Sequence, residues 1–327
     1  MRILVTGGAG FIGSHLCERL ISSGHDLVVI DNFSDFYDPG LKRKNIDEVA
    51  RAASLAGREF ILCEGDIRDG ELVAALFGQE KPDAVIHLAA AAGVRPSIEN
   101  PLLYEAVNVR GTMNLLEAAR NSGIRQFIFA SSSSVYGDNP KVPFSESDPV
   151  DNPISPYAAT KKAGELLCHT WHHLYRMNIA CLRFFTVYGP RQRPDLAINK
   201  FTRLIDAGKP IPFYGDGTTS RDYTYVNDIL DGVEKALDWV SAEESRYDIF
   251  NLGGSSPVDL RRLVEVIESA LGKKAVIERL PMQAGDVART FADLSRSTAV
   301  LGYQPSISIE DGITAFVQWY RKENPMG

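Results

Sequence analysis

The sequence predicts an α/β protein: a doubly wound parallel sheet with a smaller C-terminal α/β lobe. Three observations predict it. Short, continuously apolar, β-rich runs alternate with helical stretches through the first half of the chain. A glycine-rich turn links the first run to the first helix. After Gly189 the texture changes, and Pro190, Pro194, Pro210 and Pro212 cut the chain into short pieces.

The runs are RILVT at 2–6, LVVID at 27–31, FILC at 60–63, AVIHL at 84–88 and FIFAS at 127–131, followed by IACLRFF at 179–185. Runs of this length without polar alternation suit strands buried on both faces. Helical stretches at 11–23, 70–77 and 107–122 separate them, the last with Val107, Leu115, Leu116 and Ala119 at a 3.6-residue period. A longer helix should follow Pro156, through Tyr157, Lys161 and Leu167 to about Tyr175. Beyond Gly189, YGDGTTSRDYTYV reads as turns and short strands, and helices return at 226–240, 260–271 and 310–320. The expected division is 1–185 for the first domain and 186–327 for the second lobe, with 226–251 returning to the first domain.

The chain has 327 residues, 35 basic and 42 acidic side chains and a formal charge of −7. That balance argues against a nucleic-acid surface or an anionic membrane face, both of which need a basic patch. A chain this long buries roughly 75% of its unfolded surface and needs neither disulfides nor metal to stay folded. No apolar run is long enough to span a bilayer. The first strand starts at Met1 with no signal-peptide pattern before it, so a cytoplasmic protein is expected. Cys17, Cys63, Cys168 and Cys181 form no C-x-x-C pair. His169, His172 and His173 share a helical stretch, but no acidic or cysteine partner stands nearby, so no metal site is expected.

The sharpest motif is Thr6-Gly7-Gly8-Ala9-Gly10-Phe11-Ile12-Gly13, directly between a strand and a helix. Gly7, Gly10 and Gly13 permit a tight turn in which backbone N–H groups approach a pyrophosphate, and the positive helix end faces its charge. This is the context of a dinucleotide fingerprint in a Rossmann-type domain. Asp31 ends the second strand, where a carboxylate accepts both ribose hydroxyls and repels a 2′-phosphate. The cofactor expected is therefore NAD, with Asn32 beside Asp31 and no arginine there for an extra phosphate. Asp66-Ile67 follows the third strand: it could bind and cover an adenine, or Asp66 could simply cap the next turn. Leu88-Ala89-Ala90 ends the fourth strand, where small residues let a cofactor lie close to the backbone.

Tyr157 and Lys161 stand four apart, on one face of the expected helix. A tyrosine of pKa near ~10 is a poor base, and a neighbouring ammonium or a positive nicotinamide favours its phenolate. A drop of ~3 pH units would take ~4 kcal/mol. Ser131 to Ser134 end the fifth strand, at the carboxyl edge where such sheets bind ligands. A hydroxyl there could hold a sugar oxygen and relay its proton to Tyr157, while other serines of the run cap the turn.

TGGAGFIGS, Asp31, HLAA, SSSSVYG and YAATK together resemble the extended short-chain dehydrogenase/reductase family, the nucleotide-sugar epimerases and dehydratases, over essentially the whole chain. The resemblance implies Ser132, Tyr157 and Lys161 as catalytic residues, with Ser133 the runner-up serine on the substrate. Related dehydratases carry Thr-Asp-Glu where this chain has Ser132-Ser133-Ser134, so the acid–base pair for elimination is missing. The resemblance also implies Arg221 on a diphosphate, Asp286 on a nucleotide ribose, and a homodimer built through the helix of Tyr157. Thr186 and Phe184 depart from the Asn and Tyr common in galactose-type epimerases.

A narrower resemblance, to bacterial and plant UDP-glucuronate 4-epimerases, rests on DNFSDFYDPGLKRKN, AGVRPSIENP, YGPRQRPDLAINKF and PMQAGDVARTFADLS. It implies a UDP-sugar carrying a C6 carboxylate. Arg193 is the first candidate to hold that group, with Arg95 and Arg191 behind it and Thr186 as a further donor. Alternatives at this point are UDP-glucose/UDP-galactose (or N-acetyl) epimerisation, decarboxylation of the uronate, and a non-catalytic dinucleotide sensor.

Overall fold

The computed structural model describes residues 1–242, 244–281 and 287–324. The elements β1 (Arg2–Thr6), α1 (Phe11–Ser22), β2 (Asp26–Asp31), α2 (Pro39–Ala56), β3 (Phe60–Glu64), α3 (Gly70–Glu80) and β4 (Ala84–His87) come first. Then follow α4 (Val94–Glu99), α5 (Pro101–Glu105), a π turn (Ala106–Arg110), α6 (Gly111–Asn121), β5 (Gln126–Ser132), α7 (Pro156–Tyr175) and β6 (Asn178–Phe184). With β10 (Tyr247–Leu252), six of these strands make one parallel sheet in the order β10-β6-β5-β4-β1-β2-β3.

Alternation along the strands divides the core in two. Ile3, Val5, Val29, Ile86, Ile128 and Leu182 pack on one side with α1, α2 and α9 (Val226–Val240). Leu4, Val28, Val85, Phe127, Phe129 and Cys181 pack on the other with α3, α6 and α7. Both faces are covered, which is why the strands read as unbroken apolar runs. The order reverses between β1 and β4, so the carboxyl ends of those strands open a crevice.

The rest comprises β7 (Thr186–Tyr188), α8 (Ala197–Asp206), β8 (Pro210–Tyr214), β9 (Ser220–Tyr225), β11 (Pro257–Asp259), α10 (Leu260–Leu271), β12 (Val276–Leu280) and α11 (Ile309–Glu323). It holds a three-stranded sheet, β11-β9-β7, and a two-stranded one, β12-β8. Its apolar side chains, such as Phe201, Phe213, Leu263 and Phe316, are continuous with the α1/α2/α9 side of the main core.

Two differences from the sequence reading stand out. A helix of 18 residues, α2, fills the stretch between β2 and β3, to which the sequence reading assigned no element. It opens on Asp38-Pro39-Gly40, a turn-like triplet, but the Asp38 carboxylate accepts the Gly40 N–H at 2.8 Å and caps the helix. The helix expected at 107–122 begins earlier, as α5 at Pro101, and passes through the π turn before α6.

Candidate active site

The crevice is a cleft of about 740 Å³ that runs from the glycine turn to Thr186, Arg193 and Leu196. Its floor at the cofactor end is the turn after β1. The Gly7 N–H donates to Ile30 O at 2.8 Å and the Gly10 N–H to Gly7 O at 3.1 Å, with Gly7 at φ +73°. The turn lies against the end of β4: a Cβ on Gly7 would stand 2.9 Å from Ala89 Cα. Gly13 touches the same turn from the helix side, and no side chain among the described residues caps the N-terminus of α1. A helix end with free N–H groups above an uncluttered glycine turn fits a pyrophosphate.

Asp31 is buried at the end of β2, where its carboxylate accepts N–H bonds from Ala9 at 3.1 Å and Phe33 at 2.9 Å. These bonds hold it in place and leave acceptor capacity toward the cleft, which it lines. Asn32 donates to Asp66 at 2.9 Å, and Arg68 grips Asp66 through a 2.8 Å ion pair. The Arg68 hydrogen bond takes the Asp66 carboxyl down to about 2. Asp66 therefore makes its own turn and lines the cleft at once. Ile67, Leu88, Ala89 and Ala90 complete this wall.

Tyr157 sits in the first turn of α7, which Ser155 caps by accepting the Ala158 N–H at 3.1 Å. Lys161 lies one turn on, buried, with Nζ 6.0 Å from the Tyr157 ring centroid and donating to Ala130 O at 2.7 Å. Burial drives the lysine down to about 8. The tyrosine is raised, because burial outweighs the hydrogen bond with Ser132 and the charge of Arg193. In the protein alone burial thus works against the phenolate that the ammonium and a nicotinamide are expected to favour. The protein alone favours the neutral phenol, since the cost of removing charge from water exceeds what these neighbours return.

The serine run divides its tasks. Ser131 donates to Glu165 at 2.7 Å, beneath a fully buried Glu165–Arg183 pair. Ser132 faces Tyr157, and its Oγ accepts the Ser134 N–H at 3.2 Å. Ser133 and Ser134 also line the cleft, as do Phe184 and Thr186 across from them.

The arginine candidates separate. Arg193 reaches into the cleft with Asp195 on its Nε and Nη2, at 3.0 and 2.7 Å, and its Cζ lies 4.9 Å from the Phe36 ring centroid. Arg191 turns away: its guanidinium lies against Glu18, Glu48 and Ser14 on α1 and α2, so it is not brought to the cleft. Arg95 lies outside the cleft lining, exposed on α4 with Cζ 5.3 Å from the Tyr214 ring centroid. Arg221 stands on β9 and donates to Ser220 O at 2.9 Å. Asp286 lies outside the described residues. Sequence reading missed Lys42, which lines the cleft from α2 and donates to Ser34 O at 3.0 Å, and Tyr104, packed edge-on to Tyr157. Lys42 went with the missed helix, and no local signal marked Tyr104.

Residues 3–253 match the NAD dependent epimerase/dehydratase family. The chain belongs to that family. A UDP-glucuronate 4-epimerase from Thermodesulfobacterium geofontis is 43% identical over 98% of this chain and 96% of its own length. Among solved structures, a UDP-glucuronic acid 4-epimerase from Bacillus cereus, in complex with UDP-glucuronic acid and NAD, superposes with a TM-score of 0.90 at 35% identity. The match covers 99% of this chain and all of that one. A UDP-glucose 4-epimerase from Thermotoga maritima, with UDP-glucose, gives 0.87 at 32% identity, covering 99% of each chain. The glycine turn, Asp31 and the tyrosine helix thus stand in a family whose members work with NAD.

Proposed function

We propose that this chain is an NAD-dependent 4-epimerase that interconverts UDP-glucuronate and UDP-galacturonate through a 4-keto intermediate. Arg193 is the observation that carries the substrate choice. Asp195 occupies its Nε and Nη2, so the Nη1 edge remains for a carboxylate, and its charge is felt at Tyr157. A sugar whose C4 hydroxyl meets Tyr157 carries C6 two bonds away, so its carboxylate falls within reach of such a guanidinium. The named relatives and the complex with UDP-glucuronic acid support the same reading.

In this reading residues 1–185 with 226–251 hold NAD, through Gly7, Gly10, Phe11, Ile12 and Gly13 on the pyrophosphate and Asp31 on the adenosine ribose. Asn32, Asp66, Ile67 and Leu88 to Ala90 flank the adenosine and nicotinamide ends. The remaining lobe holds UDP, with Arg221 on the diphosphate. Bound NAD supplies a reversible hydride acceptor at C4. Tyr157 takes the C4 hydroxyl proton, Ser132 holds that oxygen, and Lys161 steadies the charge on the phenolate and the nicotinamide ribose. The flat keto sugar turns over, and Tyr157 returns the proton to the oxygen after hydride has come back on the opposite face. Ser133 and Thr186 hold the carboxylate with Arg193, in an orientation that resists loss of CO₂.

The test is incubation with UDP-glucuronate and UDP-glucose separately, with products resolved by NMR. UDP-galacturonate as the main product supports the reading. Faster conversion of UDP-glucose overturns the carboxylate assignment, and UDP-xylose replaces epimerisation by decarboxylation. Tyr157→Phe should end turnover while NAD stays bound.

A homodimer is part of the proposal. Leu102, Leu103, Met113, Leu166 and Leu174 are exposed apolar side chains on α5, α6 and α7, the last of which bears Tyr157 and is expected to pair with a second copy. Sedimentation of the wild type and Leu166→Glu should separate dimer from monomer. A cytoplasmic location fits four free cysteines, and no helix among the described residues is long and apolar enough to cross a membrane.

A further inference from the structure

We infer that Arg191, two residues from the arginine that meets the substrate, is a positioning residue that fixes Arg193 in the cleft by clamping its loop to the two helices beside the pyrophosphate turn. The inference rests on the proposed reading of Arg193 as the group that recognises the C6 carboxylate.

Residues 189–196 join β7 to α8, and their side chains point three ways. Arg191 points back across the domain boundary. It pairs with Glu18 of α1 at 2.7 Å and with Glu48 of α2, and donates to Ser14 Oγ at 3.3 Å. Gln192 points inward: its Nε2 donates to Val187 O at 3.1 Å and its Oε1 accepts the Asn199 N–H at 3.2 Å. Arg193 points into the cleft. The backbone reaches this arrangement through a left-handed residue at Arg191, φ +62°, an uncommon conformation for a non-glycine residue.

Ser14, on which the clamp ends, is fully buried in the first turn of α1, and its N–H donates to Gly10 O at 3.0 Å in the glycine turn itself. His15 adds a second tie, its Nε2 standing 2.9 Å from Pro190 O. Glu18 and Glu48 both meet the same Arg191 nitrogen, so they lie close to one another. Remove the guanidinium and two carboxylates face each other across the α1–α2 contact with no cation between them. They repel, and the loop loses its ionic anchor to α1 and α2, keeping the His15 contact at Pro190. Arg193 then keeps Asp195 of its own loop and the Phe36 ring, but no ion pair among the described residues joins the loop to α1 and α2. Carboxylate recognition should suffer while the glycine turn, made of backbone contacts, persists.

The experiment is calorimetric binding of UDP-glucuronate and of UDP-glucose to NAD-loaded protein carrying Tyr157→Phe, so that neither ligand turns over. Adding Arg191→Met should leave NAD bound and weaken UDP-glucuronate by ~10-fold or more, against less than ~3-fold for UDP-glucose. Arg191→Lys, which still reaches one glutamate, should recover part of the ratio. A purely structural role would weaken both ligands alike, and that result overturns the inference. Should Arg191→Met not fold, the Glu18→Gln/Glu48→Gln double variant is measured in its place, with the same expectation and the same refutation. Arg193→Met separates the two layers. An unchanged ligand ratio in that variant defeats the carboxylate reading itself. A collapsed ratio there, beside a normal ratio in Arg191→Met, defeats the clamp alone.

Discussion

Adding one methyl group at Gly13 should cost the protein its cofactor rather than its fold. A Cβ there would stand 2.1 Å from Gly7 O, 2.8 Å from Gly8 Cα and 2.9 Å from Gly7 C, where real contacts stay beyond 3.0 Å. All three atoms are backbone, so no side chain can rotate aside. Helix α1 must lift from the turn by about an ångström, and overpacking of this kind costs ~1–3 kcal/mol. The cost falls on the spacing between turn and helix end that the pyrophosphate needs. If it appears wholly in binding, NAD affinity falls by ~5- to 150-fold. Gly8 gives the contrast within the same turn. Its added Cβ would meet Val29 Cγ1 at 2.6 Å and Cys17 Sγ at 3.2 Å, both core side chains beneath the turn. Gly8→Ala should therefore lower Tm while the folded protein still binds NAD. Calorimetric titration of NAD into stripped protein, beside thermal melts of each variant, reads both effects. Wild-type NAD affinity in Gly13→Ala would refute the reasoning, as would an equal loss in Gly8→Ala.

Lys161→Met should lower kcat by ~10²–10⁴-fold in steady-state assays, the range for losing a group that supports proton transfer. Glu165→Gln strands the Arg183 charge, since both side chains of that pair are 1% exposed, and should cost ~3–5 kcal/mol in urea unfolding. His87, fully buried between Thr6 and Thr112 at 2.8 and 2.9 Å, is held down to about 3 by burial, against 6.5 in the unfolded chain. A depressed histidine stabilises fully above pH 6.5 and loses that contribution as pH falls toward 3, by at most ~5 kcal/mol. Urea midpoints at pH 7, 5 and 4 should fall accordingly, and the fall should be shallower in His87→Gln.

What was legible in the sequence was local. The glycine turn, Asp31 and the Tyr157/Lys161 spacing each sit within one strand–helix junction or one helical turn, and pattern alone locates them. The parallel sheet was legible because burial on both faces leaves its strands apolar throughout. Helix α2 was not, because it begins on a turn-like triplet and its buried face includes Lys42 and Asn45 beside Ile46, Val49 and Ala53. Neither was the parting of Arg191 from Arg193. Two identical side chains two residues apart diverge on a left-handed backbone, and their partners Glu18 and Glu48 lie more than a hundred residues earlier in the chain.

The balance of charge at the tyrosine was not legible either, for a related reason. A sequence lets one place a lysine beside a phenol, but not weigh the water that both have lost. Burial opposes the charged form of each, raising Tyr157 and lowering Lys161 to about 8, so at neutral pH the phenol stays neutral while the lysine still carries most of its proton. Arg193 supplies one positive charge near the phenol from the substrate side, and it is not enough. In the proposed reaction the remaining contribution would come from the positive nicotinamide ring of bound NAD. On that reading Tyr157 would act as a base while oxidised NAD is bound and as an acid once the ring has accepted hydride. That alternation is what an epimerase needs, because one residue must take the proton in the first half of the reaction and return it in the second. The burial that raises Tyr157 in the protein alone would, in the proposed reaction, make its acid–base state follow the cofactor's charge.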